Sequence, residues 1–302
     1  MILQCDTENL KGSLHFDYSL KRLNTWRVGG AADCFFKADD VAALSYFLKH
    51  CVADHPTFYL GLGSNVLVRD GGIRGVVISL GSSFNWIEPR VDNTICAGAG
   101  TSCAQLARFY VNNGLPGLEF MVGIPGTLGG ALRMNAGAFG GEIWEYVVAI
   151  ETIDRSGIRR RRARSEIDVG YRFADIADDE CIIAGEFKEP QKIKAKDELR
   201  AQLKTYLEMR NRTQPINAPT CGSVFKNLQG SSAGRLIEEC GLKSHTIGDA
   251  MVSEKHANFI VNKGSATADD IEKLILHIQA VVMEHSGVHL QPEVVIIGEH
   301  RD

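Results

Sequence analysis

Residues 123–138 form the segment whose composition points most directly to chemistry, because five of these sixteen residues are glycine. The run reads Gly-Ile-Pro-Gly-Thr-Leu-Gly-Gly-Ala-Leu-Arg-Met-Asn-Ala-Gly-Ala, and Arg133 is its only charged residue. Glycine costs conformational entropy on folding, so such a cluster indicates a backbone that turns sharply or approaches a ligand closely. A flexible linker would contain more serine and more charge. The run therefore predicts an ordered ligand-binding loop, with a tight crossing of loops in the core as the alternative.

Two shorter glycine segments precede this run, namely Gly61-Leu62-Gly63-Ser64-Asn65 and Gly98-Ala99-Gly100. The dinucleotide fingerprint G-x-G-x-x-G requires a third glycine, but Val66 and Cys103 occupy that position. No Walker lysine follows any of the three segments. Backbone N–H groups in such loops nevertheless suit phosphate. Each segment alone could be a simple turn, whereas the three together predict a nucleotide cofactor with a diphosphate and a large planar group.

The length and charge of the chain bound the possible functions. Its 302 residues are enough for two domains of ordinary size, and its hydrophobic fraction of 44% is typical of a globular protein. The net charge of −4 argues against general nucleic-acid binding. The basic run Arg159–Arg162, with Arg164 close behind, is therefore interpreted as a solvated strand edge rather than as a nucleic-acid patch.

The sequence also predicts a cellular location. No apolar run approaches the ~18 residues that a membrane helix needs, and Met1–Leu10 lacks the pattern of a secretory signal. The cysteines form no Cys-x-x-Cys pair and show no zinc-ligand spacing with histidine. We expect reduced, buried thiols in a cytoplasmic protein with no membrane partner and no bound metal. A catalytic cysteine is an alternative without a supporting motif. The eight cysteines are at positions 5, 34, 51, 96, 103, 181, 221 and 240.

Hydrophobic periodicity and capping signals predict both helices and strands. The predicted helices are residues 39–51, 101–114, 192–212, 232–241 and a long helix that begins at 267. The predicted strands are residues 57–60, 76–80, 146–153, 181–187, 257–261 and 293–297, with a hairpin turn at 154–157. The composition changes near residues 188–200, which places the main domain boundary there.

Seven short motifs occur in order along the chain: Asn24–Gly30, Gly61–Leu67, Gly123–Ala138, Gly170–Arg172, Gly222–Asn227, Ser253–Phe259 and Pro292–Val294. This ordered set resembles the UDP-N-acetylenolpyruvoylglucosamine reductases, also called UDP-N-acetylmuramate dehydrogenases. The motifs extend over nearly the whole chain, and its length resembles that of the shorter form of the family. Seven ordered motifs are far more specific than one glycine pattern.

The resemblance implies an α+β fold in two domains. Residues 1–190 would form a two-lobed FAD-binding domain of the vanillyl-alcohol-oxidase (PCMH) type, with lobes at about 1–82 and 83–190. Residues 191–302 would form an α+β substrate-binding domain. The cofactor would be non-covalent FAD. The residues carried over to its site are Arg27, Gly61, Gly63, Ser64, Asn65, Val66, Gly123, Ile124, Pro125, Gly126, Thr127, Gly129, Gly130, Asn135 and Gly137.

The resemblance also implies the reaction. A hydride from NADPH would pass through FAD to the enolpyruvyl ether of a UDP-sugar, giving UDP-N-acetylmuramate for peptidoglycan precursor synthesis. Arg172 matches the arginine that holds the substrate carboxylate and stabilises the enolate, a task that suits a planar two-pronged donor. Ser223 matches the proton donor to carbon. Glu293 matches the glutamate that assists the enolate or the proton delivery, and it would be protonated in the closed site.

The substrate diphosphate requires positive charge and hydrogen-bonding groups. The predicted substrate-binding residues are Tyr171, Arg210, Gln214, Lys226 and Asn227, and the further candidate cations are Arg212, Lys255 and Lys263. The chain departs from the usual family pattern at two positions. Ala174 stands where the family usually has serine, so a hydrogen bond near Arg172 is expected to be missing. Leu228 stands where the family usually has proline, so the loop that carries Ser223 is expected to be less rigid.

The expected partners are the two small molecules, UDP-sugar and NADPH, and the expected state is a monomer. Two alternatives remain open from the sequence. One is another FAD-dependent oxidase of the same fold that acts on a sugar or alcohol with oxygen, because fold alone does not fix function. The other is a non-catalytic UDP-sugar-binding regulator, for which the two departures from the pattern are the only motive.

Overall fold

The computed structural model of the protein describes residues 10–52 and 54–301. Six α-helices occur in these residues: α1 (Val41–His50), α2 (Cys103–Asn112), α3 (Leu128–Arg133), α4 (Lys196–Thr213), α5 (Ala233–Glu239) and α6 (Ala268–Ser286). Short 3₁₀ turns lie at Leu20–Arg22, Ser82–Phe84, Glu119–Gly123, Ile143–Glu145 and Arg164–Glu166. Among the described residues, no helix combines the length and the apolar character needed to cross a bilayer.

The strands vary from two to eight residues. In chain order they are β1 (Gly12–Ser19), β2 (Ala31–Ala38), β3 (Thr57–Tyr59), β4 (Val66–Val68), β5 (Ile73–Leu80), β6 (Ile87–Pro89), β7 (Thr94–Gly98), β8 (Gly137–Ala138), β9 (Gly141–Glu142), β10 (Val147–Ile153), β11 (Arg159–Ala163), β12 (Val169–Gly170), β13 (Phe173–Ala174), β14 (Cys181–Lys188), β15 (Thr246–Ile247), β16 (Ala250–Val252), β17 (Ile260–Asn262) and β18 (Val295–Ile297). The larger sheets have the strand orders β1-β2-β5-β3, β11-β10-β14-β7-β6 and β15-β16-β17. The pairs β3–β5 and β4–β18 are parallel. The predicted α+β fold class is confirmed.

The described chain divides into two compact units that are discontinuous in sequence. Unit 1 contains the chain up to Phe16, together with Cys34–Gly61 and Gly75–Glu208. Unit 2 contains Asp17–Asp33, Leu62–Arg74 and the chain from Met209 onward. The assignment of residues 1–190 to FAD and 191–302 to substrate, with lobes at about 1–82 and 83–190, stays a prediction.

Unit 1 has two hydrophobic clusters. In one, α1 packs on the four-stranded sheet, where Phe36 and Phe47 stack with their ring centroids 4.0 Å apart. Asp40 caps this helix, because its side chain accepts a hydrogen bond from Ala43 N (2.8 Å). In the other cluster, α2 and α3 pack against the five-stranded sheet. Ile153 of β10 belongs to the first cluster, so the two sheets of unit 1 share a core.

The arginine-rich strand β11 is an edge strand of the five-stranded sheet, and the predicted hairpin turn at residues 154–157 joins it to β10. Its first four residues form ion pairs with carboxylates of unit 1, namely Arg159 with Glu151, Arg160 with Asp154, Arg161 with Glu186 and Arg162 with Glu180. Charged side chains protect an edge strand from pairing with another chain. The interpretation of this run as a strand edge is confirmed.

Unit 2 is built around the apolar face of α6, whose residues Ile271, Leu274, Ile275, Ile278 and Val282 are all buried. Thr267 and Asp270 form a capping box at its first turn. Trp26 lies in the same core, and its indole Nε1 donates to Ile260 O (2.8 Å). The early motif that contains Trp26 thereby packs against the C-terminal third of the chain, within one unit.

Two predicted strands are shorter than expected. Residues 256–259 form a turn, because Asn258 N donates to His256 Nδ1 (3.2 Å) and Phe259 N to His256 O (3.0 Å), so β17 begins only at Ile260. The last strand, β18, begins at Val295 rather than at Glu293. The residues immediately before β18 pair instead with a different segment, described below.

Candidate functional site

The first half of the glycine run, residues 123–130, packs against Gly61 and Ala99 of the two earlier glycine segments, all within unit 1. Gly129 N donates to Ala99 O (2.9 Å), and a Cβ on Gly129 would be 3.1 Å from Ala99 Cβ. Gly61 lies against Thr127, where a Cβ would be only 2.6 Å from the threonine Oγ1. Such close approaches require glycine. Residues from all three glycine segments are therefore neighbours.

The surface of this half of the run is partly open. Gly123 ends a 3₁₀ turn, and Thr127 precedes α3 without a hydrogen bond from its side chain to the helix. A Cβ added to Gly130 would meet nothing nearer than Thr127 Oγ1, at 3.8 Å. Ile124 and Gly126 are half-buried, and Pro125 and Gly130 are exposed.

The end of the Gly61–Asn65 segment belongs to unit 2. Gly63 has a φ of +61°, and a Cβ there would be 2.2 Å from Leu23 O, so no larger residue fits. Asn65 Nδ2 donates to Glu293 O (3.1 Å). This hydrogen bond joins the side chain of a predicted cofactor residue to the main chain of a predicted catalytic residue within unit 2.

Four further members of the predicted cofactor set lie on or near these segments. Ser64 is half-buried, Val66 pairs with Val295 in the parallel pair β4–β18, and Arg27 is exposed with a φ of +61°. Gly137 lies at the start of the hairpin β8–β9. Contacts of these residues with FAD stay a prediction.

The second half of the glycine run holds the guanidinium of Arg172. Arg172 Nη2 donates to Gly137 O (2.9 Å) and Nη1 to Asn135 O (3.3 Å). The guanidinium carbon lies 4.8 Å from the ring centroid of Tyr171. A Cβ on Gly137 would be 3.1 Å from Arg172 Nη1, so this glycine makes room for the arginine. The side chain of Arg172 is 15% exposed, and its φ of +56° is unusual for a residue other than glycine.

Asn135 connects this arginine to the hairpin β8–β9. Its Nδ2 donates to Glu142 Oε2 (2.7 Å) and to Gly170 O (2.9 Å), and its exposed fraction is 1%. Glu142 Oε1 lies 3.7 Å from Arg172 Nη1. Sequence reasoning did not single out Glu142, because neither its residue type nor its spacing from Arg172 marks it. The described contacts make Asn135 a support for Arg172, and its contact with the cofactor stays a prediction.

Ser223 and Glu293 lie on two adjacent segments of unit 2. Glu293 N donates to Val224 O (2.7 Å), and Lys226 N donates to Gln291 O (2.9 Å). This pairing explains the late start of β18, since the backbone groups before Val295 are engaged by the segment that carries Ser223. Both Ser223 and Glu293 are half-buried. The fold therefore brings together two of the three predicted catalytic residues.

Asn258 fixes the segment that carries Ser223. Its Oδ1 accepts from Phe225 N (2.9 Å), its Nδ2 donates to Phe225 O (2.8 Å), and its main-chain oxygen accepts from Val224 N (2.9 Å). Burial lowers the pKa of His256, which keeps its Nδ1 available as the acceptor for Asn258 N. Asn258 lies in the motif Ser253–Phe259. The presence of this motif in the sequence was the only available indication that Asn258 supports the Ser223 segment.

The predicted substrate residues occupy several places. Arg210 and Gln214 lie on successive turns at the end of α4, where Arg210 Nε donates to Gln214 Oε1 (3.3 Å). Burial lowers the pKa of Arg210, although an arginine remains charged in proteins. Asn227 Oδ1 accepts from Ala233 N (3.1 Å) at the start of α5. Tyr171 is 44% exposed beside Arg172.

Of the remaining basic residues considered for the substrate diphosphate, Lys255 contacts the backbone of α4 and the others are exposed. Lys255 Nζ donates to Asn211 O, and Arg212 and Lys263 are exposed. Leu228, expected to loosen the Ser223 loop, exchanges two backbone hydrogen bonds with Ser231, of 3.0 and 3.3 Å. These bonds restrain the turn without a proline. Ala174 is buried in β13, with an exposed fraction of 7%.

The buried thiols carry no sign of activation. Burial raises the pKa of Cys103 and of Cys181 to about 12, and it raises the pKa of Cys221 well above its usual range, with the nearby Glu293 as a smaller cause. A thiol with a raised pKa is a poor nucleophile at neutral pH. Free thiols include Cys96, Cys103, Cys181, Cys221 and Cys240, whereas Cys51 is disulfide-bonded. The expectation of reduced thiols is wrong for Cys51, because bonding depends on distances that sequence spacing does not reveal. Cys5 and most of the segment Met1–Leu10 lie outside the described residues.

These residues fit a large, flat nucleotide cofactor. A Cβ at Gly61 or Gly129 would crowd Thr127 or Ala99, so the backbone is closely packed at these two glycines, and Gly130 keeps an open backbone beside them. Open backbone at tightly packed glycines lets a diphosphate approach N–H groups directly. The side chains of this region are almost uncharged, which suits a planar ring system more than a free anion.

Two family models match the chain. An FAD binding domain matches residues 32–161, and the C-terminal domain of UDP-N-acetylenolpyruvoylglucosamine reductase matches residues 214–297. The first range includes Gly61 and the glycine run, and the second includes Ser223 and Glu293.

Curated proteins and solved structures agree with these matches. The chain is 49% identical over 276 residues to the UDP-N-acetylenolpyruvoylglucosamine reductase of Methylococcus capsulatus, which covers 91% of this chain and 90% of the relative. It is 46% identical over 289 residues to the protein of the same name from Alkalilimnicola ehrlichii, with coverage of 95% and 96%. The crystal structure of UDP-N-acetylenolpyruvylglucosamine reductase (MurB) from Thermus caldophilus matches with a TM-score of 0.81 at 32% identity, covering 95% of this chain and 99% of that one.

Proposed function

The chain belongs to the family of UDP-N-acetylenolpyruvoylglucosamine reductases, FAD-dependent oxidoreductases of peptidoglycan precursor synthesis, and we propose how its own residues perform that reaction. The substrate is UDP-N-acetylglucosamine enolpyruvate, the product is UDP-N-acetylmuramate, and NADPH is the hydride donor. Arg172, Ser223 and Glu293 are the catalytic residues of this proposal.

The observation that most supports these roles is the pairing of the Ser223 and Glu293 segments. The two residues are distant in sequence, yet Glu293 N donates to Val224 O at 2.7 Å. A hydroxyl is a weak acid, so a serine that protonates carbon requires help from a neighbouring group. Glu293, on the adjacent segment, is the group that we propose for this role.

The residues divide the work as follows. Bound FAD supplies the hydride chemistry, which no amino-acid side chain provides. Arg172 binds the substrate carboxylate and stabilises the negative charge that spreads onto it, and Gly137 O and Asn135 O fix the direction of its guanidinium. Ser223 then donates its proton to the carbon next to the carboxylate, with Glu293 supporting the serine.

The residues that would hold FAD are those of the glycine segments. These are Gly61, residues 63–66, residues 123–130 and Gly137, and Arg27 of the motif Asn24–Gly30 would add a further contact. Backbone N–H groups would contact the diphosphate, and half-buried residues such as Ile124 would contact the ring system. Tyr171, Arg210, Gln214, Lys226 and Asn227 would bind the UDP-sugar.

A spectroscopic experiment tests the proposal. The purified protein should be yellow, or become so when FAD is added, and NADPH should bleach its flavin absorption. The absorption should return when UDP-N-acetylglucosamine enolpyruvate is added without oxygen. A colourless protein that does not take up FAD would contradict the proposal. Fast reoxidation by oxygen together with no response to the enolpyruvyl substrate would favour a different oxidase, and UDP-sugar binding without flavin reduction would favour a regulator.

The proposal includes a monomeric enzyme that acts in the cytoplasm on small molecules. Light scattering of the holoenzyme at several concentrations tests the oligomeric state. A mass that stays near the 33.1 kDa of one chain would support a monomer, and twice that mass would overturn this part of the proposal.

A further inference from the structure

Glu142, which sequence reasoning did not single out, is placed near Arg172 by the hairpin β8–β9. Ala138 pairs with Gly141 across this hairpin, so Phe139 and Gly140 form its two-residue turn. Both have positive φ values, +53° and +87°, as a type I′ turn requires. Phenylalanine is unusual in this conformation, and such strain persists only where the surroundings impose it.

Packing in unit 1 holds the hairpin in place. The ring of Phe139 stacks on that of Tyr206 of α4, with centroids 4.4 Å apart and an angle of 12° between the planes. Gly141 lies against Phe120, where a Cβ would be 2.9 Å from the ring. The residue after the hairpin, Ile143, donates its N–H to Ala136 O (3.0 Å). The carboxylate of Glu142 is therefore carried by a rigid element.

Glu142 contacts both Arg172 and the residue that supports it. One carboxylate oxygen accepts from Asn135 Nδ2 (2.7 Å), and the other lies 3.7 Å from Arg172 Nη1. The side chains of Arg172 and Glu142 are 15% and 34% exposed, so water only partly screens their attraction. Any carboxylate that binds Arg172 meets the like charge of Glu142 at the same guanidinium.

We propose that Glu142 is a positioning residue that orients Arg172 and lowers the affinity of its guanidinium for a resting carboxylate. This inference rests on the proposed function of Arg172. Substrate and product both carry a carboxylate, so attraction to this group acts on both equally. Interactions of equal strength in ground state and transition state lower KM without raising kcat. Weaker binding of the carboxylate by Arg172 therefore favours release of the product. Arg172 still stabilises the enolate, because the enolate carries a larger negative charge.

The substitution Glu142→Gln tests the inference, because it removes the charge and keeps an oxygen that accepts from Asn135. We expect KM for the enolpyruvyl substrate and the dissociation constant of the product to fall about two- to fivefold, the usual effect of one partly exposed charge. The value of kcat should stay the same or fall slightly. A purely structural role would instead raise KM. Glu145→Gln is the matched control, since Glu145 is an exposed carboxylate close behind in the chain.

The experiment separates this inference from the proposed function. If the wild-type holoenzyme does not reduce the substrate, the proposed function fails, and the inference fails with it. If the wild-type enzyme turns over but Glu142→Gln leaves KM and product affinity unchanged or weaker, only the inference is overturned. Should this variant not fold, Glu142→Asp decides in the same assay. Its carboxylate is withdrawn by one methylene, so KM should fall by a smaller factor, and an unchanged or raised KM overturns the inference.

Discussion

The proposed catalytic residues of unit 1 and those of unit 2 are held in different ways. In unit 1, Arg172 is fixed by contacts of its own side chain with Gly137 O, Asn135 O and Glu142. In unit 2, Ser223 and Glu293 are fixed through main-chain contacts of their segments. A planar guanidinium acts only in a defined direction, whereas a hydroxyl rotates freely once its Cα is in place. In this protein the charged group of Arg172 is therefore positioned by its side-chain partners, whereas the proton donor Ser223 is positioned by its backbone.

The largest effect should come from removing the proton donor of unit 2. We expect Ser223→Ala to slow reoxidation of the flavin by the enolpyruvyl substrate about 10²–10⁴-fold, the usual contribution of general acid catalysis. Flavin reduction by NADPH should not change, because that step needs no proton from Ser223. Stopped-flow absorption measures both half-reactions separately. Ser286→Ala, at the end of α6, is the control, and a loss of NADPH oxidation in Ser223→Ala would show a structural defect instead.

Replacing the guanidinium of Arg172 in unit 1 by an ammonium group should have the next largest effect on the rate. Arg172→Lys keeps the charge but loses the planar fork that donates to Gly137 O and Asn135 O. We expect kcat to fall about 10²–10³-fold, as for loss of one oxyanion donor. Steady-state kinetics measures this loss. Arg160→Lys on the exposed edge strand is the matched control. Equal kinetics for Arg172→Lys and wild type would show that the orientation of the guanidinium donors of Arg172 does not affect the reaction.

The backbone support of Ser223 provides a third test. Asn258→Ala leaves Phe225 N and Phe225 O without their side-chain partner, so we expect kcat to fall by up to about 10²-fold through misplacement of Ser223. The free energy of unfolding should fall by about 1–3 kcal/mol, because these groups are buried. Kinetics and urea unfolding measure the two effects. Asn113→Ala, which removes an exposed side-chain bond to Phe109 O, should have little effect on either.

A fourth, smaller effect should depend on pH. Arg69 donates to both carboxylate oxygens of Glu272, and these hydrogen bonds lower the pKa of Glu272 against the opposing effect of burial. A lowered pKa stabilises the fold above the ordinary value of 4.5, and this contribution is lost as the pH falls through the lowered value.

Glu272→Gln should therefore reduce the free energy of unfolding by about 2–3 kcal/mol at neutral pH, somewhat less than for a fully buried pair. The difference from wild type should shrink in acid. Urea unfolding at neutral and at acidic pH measures it, and a difference that is independent of pH would contradict the assignment. Glu151→Gln, which breaks the ion pair with the exposed Arg159 of the edge strand β11, should cost less than about 1 kcal/mol at either pH.

Most elements with strong local signals could be predicted from the sequence. The helices at 39–51, 101–114 and 232–241 and the long helix from 267 were predicted close to their observed positions, because their caps at Asp40, Ser102, Ser232 and Thr267 lie within a few neighbouring residues. The starts of β17 and β18 were missed. Their boundaries are set by the His256 side chain and by the segment at Val224, which compete for backbone groups that a strand would otherwise use.

The family, the cofactor class and the three candidate catalytic residues follow from the sequence alone, because the ordered motifs resemble those of the family and the three residues match its motif positions. The tertiary structure decided how these residues are supported. It divided the glycine run between packing against Gly61 and seating Arg172, and it placed Glu142 beside that arginine. It also joined Ser223 to Glu293 through Val224. These supports are contacts between segments that are distant in the chain, and their geometry depends on how the whole unit packs, which no local pattern encodes.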